Sequence, residues 1–237
     1  MKILYPDKLI SVSANEANAN YPVTNLTDGH LKTLWKATSR DAILTISAGP
    51  YASGLALFNT NATSAQVVVE AIGGEAQEDD TYDLTTSEEG CFDAYYNSRG
   101  VTHEIVITLS SLAGTTLEAG QLAVGTVETF IDPEYGLQEG MVDNSIVKKL
   151  LSGGFYTKKR NVARQFSGRI TEDRDTDFYT FMRDFAKVQR TDPFACRLST
   201  NITAWDWVVF VRLDGMPKGA HPYYEHSTID INLLEAL

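Results

Sequence analysis

The chain has 237 residues, of which 43% are hydrophobic, and a formal net charge of -11. It is therefore long enough for one large β domain or for two domains of ordinary size, and we favour two. Residues 1 to 130 carry 6 Lys and Arg against 16 Asp and Glu, whereas residues 131 to 237 carry 14 against 15, so the acidic first half lacks the basic footprint that duplex nucleic acid or an anionic membrane would need.

The beginning of the chain bears on its compartment. Met1 to Asp7 contain no apolar stretch long enough for a signal peptide, and no later run is long enough to span a bilayer. We therefore expect synthesis in the cytosol and no membrane insertion. Cys91 and Cys196 are far apart in sequence, which indicates free, buried thiols and not a disulfide framework or a metal knuckle.

The segment Tyr21 to Gly29 is the most informative part of the sequence. Pro22 fixes its own φ, Asp28 can close an Asx-type turn, and Gly29 can supply a positive φ. Trp35 follows where the chain is expected to re-enter an apolar core. Turn residues followed by a buried aromatic side chain predict a β-sandwich and not a catalytic site.

This pattern resembles the discoidin or galactose-binding-like superfamily, in which the first strand is followed by Tyr-Pro, Asn, Asp-Gly and then Trp. The resemblance covers residues 1–130 and implies a jelly-roll β-sandwich. Domains of this family often hold a structural calcium near this loop, which makes Asp28 a candidate ligand together with backbone carbonyls. A plain Asx turn is the alternative role for Asp28.

Short apolar or alternating runs recur in the first half and predict strands. They cover residues 43–47, 54–58, 65–72, 103–109 and 122–129. The stretches 75–83 and 93–100 are predicted to be irregular connections, and the first of them is acidic. The second supplies exposed aromatic and polar groups of the kind that a sugar site uses, so our candidate residues for binding a sugar or a partner are Tyr95, Tyr96, Asn97 and Arg99. Covering the end of the sandwich is the other role open to them.

A domain boundary is predicted between residues 130 and 140, where the charge balance changes and Asp-Pro-Glu-Tyr-Gly interrupts the pattern. Apolar residues at three- and four-residue steps predict an amphipathic helix over 175–189. Further strands are predicted at 194–198, 205–213 and 227–233. We therefore expect residues 131–237 to form an α+β domain, an antiparallel sheet or small barrel with one helix, whose chain can interleave with the first half.

Known catalytic patterns are missing from the sequence. The four histidines form no helical zinc pair, and His221 and His226 flank a Pro-containing turn without defined ligand geometry. There is no nucleophile elbow, phosphate-binding loop or dinucleotide fingerprint. We predict that the chain is not an enzyme and has no cofactor, with a structural calcium at Asp28 as the one candidate.

A basic strip follows the boundary and includes Lys158, Lys159, Arg160 and Arg164. Such a strip can attract nucleic acid. However, aromatic residues do not alternate regularly with these basic residues, and this half of the chain is nearly neutral. A subunit interface complementary to the acidic half is the simpler interpretation, and we expect no nucleic-acid specificity.

The second half resembles structural proteins of bacteriophage tails, in particular distal-tail and tail-tip components. The resemblance rests on the helix at 175–189, the late strand at 205–214 and the final alternation of apolar and acidic residues at 227–235. In the tail-tube family, sheets of neighbouring subunits join edge to edge into rings. This chain departs from those proteins because its galactose-binding-like half comes first.

These patterns lead to one functional hypothesis and one alternative. The hypothesis is a virion structural subunit at a phage tail tip or baseplate, assembled into a homo-oligomeric ring such as a hexamer. It would contact other tail proteins and carry fibres, or hold a host glycan. The alternative is a carbohydrate-binding protein or an accessory module of a glycan-active enzyme.

Overall fold

A computed structural model describes residues 1–71, 76–85, 87, 90–97, 100–133, 137–149, 153–173, 177–202, 204, 207–222 and 226–237. The fold is mainly β. The strands before residue 132 are β1 (Lys2–Asp7), β2 (Leu9–Ala14), β3 (Trp35–Lys36), β4 (Asp41–Ala48), β5 (Gly54–Phe58), β6 (Ala62–Ala71), β7 (Ala76–Asp83), β8 (Phe92–Tyr95), β9 (His103–Ser111), β10 (Glu118–Ala119) and β11 (Gln121–Thr129). The later strands are β12 (Gln138–Asp143), β13 (Ile146–Lys149), β14 (Phe155–Lys158), β15 (Val162–Asp173), β16 (Phe194–Arg197), β17 (Val208–Leu213), β18 (Lys218–Ala220) and β19 (His226–Glu235).

The chain divides into two compact units. The first unit comprises Met1–Asp132 and Phe194–Phe210, and the second comprises Pro133–Pro193 and Val211–Leu237. The chain leaves the first unit inside the predicted boundary region. The second unit differs from the predicted range 131–237, because Phe194–Phe210 belongs to the first unit.

The first unit is a β-sandwich of two antiparallel sheets. One sheet has the strand order β2-β4-β9-β6-β7, and the first unit's part of the other has the order β16-β1-β11-β5-β8. Strand β9 shows why such a sandwich forms, because its residues alternate between buried and less buried positions along the strand. Apolar side chains from both sheets, such as Leu44, Ile107, Leu55 and Leu122, form one continuous core.

The loop around Trp35 has the predicted local structure. Trp35 is fully buried in the sandwich core, Gly29 has a φ of 80°, and the Asn25 side-chain amide donates a hydrogen bond to the Leu34 carbonyl over 2.7 Å. The 3-10 helix Val23–Thr27 was not predicted. These contacts fix the chain between β2 and β3.

Two predicted connections are strands instead. The acidic stretch 75–83 contains β7, which pairs with β6 and is the last strand of its sheet, and the stretch 93–100 begins with the end of β8, which pairs with β5. The prediction failed because carboxylates are uncommon in strands, whereas an edge strand can point them into water.

The second unit contains an antiparallel sheet, a separate hairpin and a helix. In this unit β12, β15 and β19 are neighbours, β18 pairs with β19, and β13 and β14 form the hairpin. The helix packs on β15 and β19. It consists of an α-helical turn at Asp177–Tyr179, a π-helical segment at Thr180–Ala186 and a second α-helical turn at Lys187–Gln189.

The predicted helix is therefore confirmed over its described residues, and the first residues of the predicted span, 175 and 176, lie outside them. Phe178, Phe181 and Phe185 bury its apolar face.

Among the helices of the described residues, none is long and apolar enough to cross a membrane.

Candidate functional site

An open pocket of about 350 Å³ lies in the first unit. It combines two tyrosines, two cations, one carboxylate and one hydroxyl, which is the mixture of apolar and orienting polar groups found in small-molecule sites. The lining residues are Lys2, Tyr82, Asp93, Ala94, Tyr95, Arg197, Thr200 and Ile202.

The pocket exists because the second sheet of the sandwich is curled. Strands β8 and β16 are separated in that sheet by β5, β11 and β1, so four spacings in a flat sheet would put them roughly 19 Å apart. Arg197 on β16 nevertheless forms an ion pair with Asp93 on β8. The curl therefore brings these two strands together around the pocket.

Asp93 and Arg197 form a fixed polar network at the pocket. The Arg197 Nε donates to one Asp93 carboxylate oxygen over 2.7 Å, Nη2 donates to the other, and the Tyr95 hydroxyl also donates to Asp93. The Arg197 Nη1 donates to the Ile202 carbonyl over 3.0 Å. Four contacts thus hold these side chains in one arrangement before any ligand arrives.

Lys2 is the cation of the pocket that lacks a carboxylate partner within the part of the chain that the structure describes. Its ammonium lies 3.8 Å from the centroid of the Tyr95 ring, a cation–π contact. In the pairing of β1 with β16, Lys2 is directly opposite Arg197. Asp93 pairs with Arg197, so Lys2 is the cation at the pocket that has no carboxylate partner among the described residues.

The electrostatic environment keeps these groups in defined protonation states. Burial opposes the charge of Arg197, but the hydrogen bonds and the negative charge of Asp93 outweigh it and raise the pKa of Arg197. Burial, followed by the nearby carboxylates, raises the pKa of Tyr82 to about 12. The same effects raise the pKa of Tyr95, so both phenols are neutral at physiological pH and can act as hydrogen-bonding groups.

Asp132 fixes the segment that contributes Thr200 to the pocket. Its carboxylate accepts hydrogen bonds from the Ser199 hydroxyl over 2.9 Å and from the Thr200 N–H over 2.8 Å, and it pairs with the amino group of Met1. Burial opposes ionisation, but these donors outweigh it and lower the pKa of Asp132 to about 2. The loop after β16 is thus held by a permanently charged group.

Of the four predicted sugar-site residues, the three that the structure describes do not line one pocket together. Tyr95 lines the pocket, but Lys2 covers a face of its ring. Tyr96 was expected to be exposed and is only 6% exposed, because its ring lies on the core side of the sandwich. Asn97 is exposed and its N–H donates to Glu78 over 3.1 Å, and Arg99 lies outside the described residues.

The candidate calcium ligand has a structural role. An Asp28 carboxylate oxygen accepts a hydrogen bond from the His30 N–H over 2.8 Å, which closes an Asx turn. Among the residues that the structure describes, no group of three or more His, Cys, Asp or Glu side chains is arranged to hold a metal ion.

The predicted basic strip separates into two parts. Lys158, Lys159 and Arg160 are exposed at the end of the β13–β14 hairpin. Arg164 instead lies on β15, has a side chain that is 13% exposed, and pairs with Glu139 over 2.8 Å. Arg164 therefore contributes to the sheet of the second unit.

Sequence reasoning missed most of the pocket. Lys2 and Arg197 are 195 positions apart, and only the pairing of β1 with β16 makes them neighbours. Asp93 was placed in a predicted loop, whereas it is a buried residue of β8. A charged residue inside an apolar strand, as in Cys-Phe-Asp-Ala-Tyr, was the one available signal, since an isolated buried carboxylate requires a partner.

Comparison with known proteins gives similarity in structure alone. No protein-family model and no curated protein sequence matches the chain. A family 32 carbohydrate-binding module of C. perfringens NanJ, solved with galactose, is 18% identical with a TM-score of 0.38 and covers 52% of this chain and 100% of that chain. A chitosan-binding module of a Paenibacillus chitosanase/glucanase is 17% identical with a TM-score of 0.39 and covers 50% of this chain and 98% of that chain.

A structure of a different kind is equally similar. Reduced XRCC1, solved bound to the DNA polymerase β catalytic domain, is 10% identical with a TM-score of 0.41 and covers 51% of this chain and 97% of that chain. The similar structures therefore include domains solved with a sugar and one solved with a protein. Such distant likeness assigns no ligand to this chain.

Proposed function

We propose that the first unit is a non-catalytic carbohydrate-recognition module that binds acidic glycans in the pocket around Lys2. The observation that carries this proposal is the fixed network of Asp93, Arg197 and Tyr95 beside an ammonium that has no carboxylate partner among the described residues. A sugar bearing a carboxylate would supply that partner.

The network favours recognition because its side chains are already ordered. A side chain that is immobilised on binding costs about 0.5–1.5 kcal/mol, and this cost is avoided when internal hydrogen bonds hold the group beforehand. Arg197 and Asp93 have side chains that are 10% and 4% exposed, so they form the fixed wall. Lys2, Thr200 and the edges of the two tyrosines face the ligand.

The charge of the pocket determines the class of sugar. A neutral sugar would stack on a free aromatic face, but Lys2 covers the Tyr95 ring. A ligand therefore meets an ammonium first, and a carboxylate is the group that gains most from it through a charge-assisted hydrogen bond. The structurally similar family 32 module was solved with galactose, and the other similar module is a chitosan-binding one, so sandwiches of this class bind sugars in those proteins.

The test is glycan binding by the whole chain and by one variant. Wild-type protein should bind uronic- or sialic-acid-terminated glycans on an array and in calorimetry, and Lys2→Met should weaken binding at least about tenfold, which corresponds to loss of one charged hydrogen bond. Lys32→Met, which changes an exposed lysine elsewhere in the same unit, should bind as the wild type. Binding that prefers neutral glycans, or that Lys2→Met leaves intact, contradicts the proposal.

A second candidate function is supported by a different observation. Neither strand of the β13–β14 hairpin of the second unit has a buried residue, as expected of a segment that acts by contacting another subunit. This favours a structural subunit of a phage tail tip that forms a ring and contacts other tail proteins. Sedimentation showing self-association, together with antibody labelling of the tail tip in purified particles, would support it, whereas a monomer that is absent from particles would contradict it.

A further inference from the structure

We propose that the β13–β14 hairpin of one copy docks on the acidic edge strand β7 of a second copy. This inference rests on the second candidate function, self-assembly, and names the two surfaces that would meet. The hairpin belongs to the second unit and β7 to the first. The two hairpin strands have no buried residue, and Asp79, Asp80 and Asp83 of β7 are exposed.

The hairpin has the composition of a contact surface. Val147 is 61% exposed, Phe155 70% and Tyr156 52%, although large apolar side chains are usually covered. The two strands pair only with each other in the described residues, and an isolated two-stranded hairpin is marginally stable in water. A partner that covers these side chains would therefore stabilise the hairpin.

The charge of the hairpin specifies an acidic partner. Residues 144–171 contain seven Lys and Arg and no Asp or Glu. Five of these cations lie on or next to the hairpin strands, and within the described residues none of the five is in an ion pair. They are Lys148, Lys149, Lys158, Lys159 and Arg160.

Strand β7 of another copy has the complementary properties. It carries Glu78, Asp79, Asp80 and Asp83 and no basic residue. As the last strand of its sheet, it presents backbone groups along one side to an incoming strand. The first unit as a whole carries 7 Lys and Arg against 18 Asp and Glu, while the second unit carries 13 of each. A second copy thus provides the acidic surface that the hairpin requires.

The geometry of the contact has a consequence for assembly. Hairpin and edge strand are different surfaces of the same chain. A copy that donates its hairpin can therefore still accept the hairpin of a third copy on its own β7. Such a head-to-tail contact produces a ring if the rotation between copies closes and a filament if it does not.

Charge exchange between the two surfaces tests the proposal. The hairpin variant is Lys148→Glu with Lys149→Glu, and the strand variant is Asp79→Lys with Asp80→Lys. Wild type should self-associate in sedimentation experiments at about 50 mM salt and dissociate at about 500 mM. Each variant alone should associate at least about tenfold more weakly, because like charges then face each other.

An equal mixture of the two variants should recover association, since the acidic hairpin of one matches the basic strand of the other. The control variant Lys187→Glu with Arg190→Glu reverses two exposed cations at the C-terminal end of the helix of the second unit and should associate as the wild type. Circular dichroism of each variant would establish that it is folded.

The outcomes separate this inference from the function on which it rests. If wild type associates but the mixture does not recover, the hairpin–β7 contact is wrong and self-assembly stands. If wild type remains monomeric at every concentration and salt, both are wrong. A monomeric wild type whose hairpin binds a DNA oligonucleotide, with loss of binding in the hairpin variant, would replace the second copy by nucleic acid.

Discussion

Asp93 and Arg197 illustrate how one buried ion pair can serve both the fold and the ligand site. The pair joins two strands that lie on opposite sides of a curled sheet. A buried pair often adds little to stability compared with apolar residues, but removing one partner leaves an uncompensated charge. The pair therefore keeps the curl of the sheet in place, and with it the shape of the pocket.

Asp93→Asn should lower the free energy of unfolding by about 3–5 kcal/mol, because Arg197 would remain buried and charged without its carboxylate. Urea unfolding measures this loss. Asp41→Asn is the matched control, since Asp41 and Arg40 form an ion pair whose side chains are about half exposed, and it should leave stability nearly unchanged. An equally small effect at both positions would show that the Asp93 pair is not important for the fold.

His103 gives the first unit a dependence on pH. Its side chain is fully buried, and within the described residues neither ring nitrogen has a hydrogen-bond partner. Burial lowers the pKa of His103 below its ordinary value of 6.5, so the unfolded chain binds the proton more readily than the folded one. The contribution of neutral His103 to the free energy of unfolding is fully present above pH 6.5. It should decrease as the pH falls below 6.5, by at most about 1.4 kcal/mol per pH unit.

The corresponding measurement is unfolding free energy between pH 7 and pH 5 for wild type and His103→Phe. The variant keeps an aromatic ring beside Tyr96, whose centroid is 5.6 Å from that of His103. It should show a flatter profile than the wild type, because the other three histidines are exposed. Parallel profiles would mean that His103 does not carry the pH dependence.

At the residue scale, the correct predictions concern features that depend on a residue and its neighbours in the sequence. Gly29 and the burial of Trp35 followed from turn residues and a large aromatic side chain. The exposure of Tyr96 was predicted wrongly, since Tyr96 follows the end of β8 and packs into the sandwich core, whereas Tyr95, the last residue of β8, lines the pocket. No local signal shows which of the two tyrosines lines the pocket.

At the element scale the predictable strands are those with a continuous apolar or an alternating sequence. Strand β5 was predicted with its observed bounds, and β9 and β11 nearly so. The acidic edge strand β7 was missed because its composition is that of a loop, although it pairs in antiparallel with the strand that precedes it, β6. Apolar spacing predicted the helix, but the π-helical segment at Thr180–Ala186 has no recognisable sequence signal.

At the element scale, substitution of Gly90 should have a large effect on one strand, β8. It precedes β8 with a φ of +58°, and a Cβ there would lie 2.0 Å from the carbonyl oxygen of Thr60. The Thr60 N–H also donates to the Gly90 carbonyl over 2.7 Å. Gly90→Ala should destabilise the protein by more than about 1 kcal/mol and disturb β8.

Comparison of Gly114→Ala with Gly90→Ala distinguishes the effect of backbone strain from the effect of the steric clash. Gly114 also has a positive φ, +87°, but no atom within 4 Å of the added Cβ. Thermal unfolding should therefore show a smaller decrease for Gly114→Ala than for Gly90→Ala. Equal decreases would mean that the approach of Thr60 is unimportant.

At the scale of the whole molecule the chain interleaves its two units. Residues Phe194–Phe210 return to the first unit after the helix of the second. The sequence allowed interleaving but could not locate it, because the apolar strands at 194–198 and 205–213 fit either sheet equally well. The segment Phe194–Phe210 supplies Arg197, Thr200 and Ile202 to the pocket. The candidate site therefore depends on contacts between residues that are far apart in the sequence.

The molecule as a whole thus presents two candidate recognition surfaces. The first unit has a net charge of -11 and contains a pocket whose Lys2 lacks a carboxylate partner among the described residues, while the second has equal numbers of both charges and an exposed basic hairpin. The proposed glycan site and the proposed assembly contact meet at β7, because Tyr82 lies on that strand and lines the pocket. The hairpin variant should therefore leave glycan binding intact, and Lys2→Met should leave self-association intact.

The central claim, that the Lys2 pocket binds acidic sugars, is tested most directly by nuclear magnetic resonance of the whole chain titrated with glucuronic acid or N-acetylneuraminic acid. We expect concentration-dependent shifts of the backbone amides of Lys2, Tyr82, Asp93, Tyr95 and Thr200. In Lys2→Met the shifts at the last four should require at least about tenfold more sugar. Absence of shifts at millimolar sugar, or shifts that cluster on residues away from this pocket, would contradict the claim.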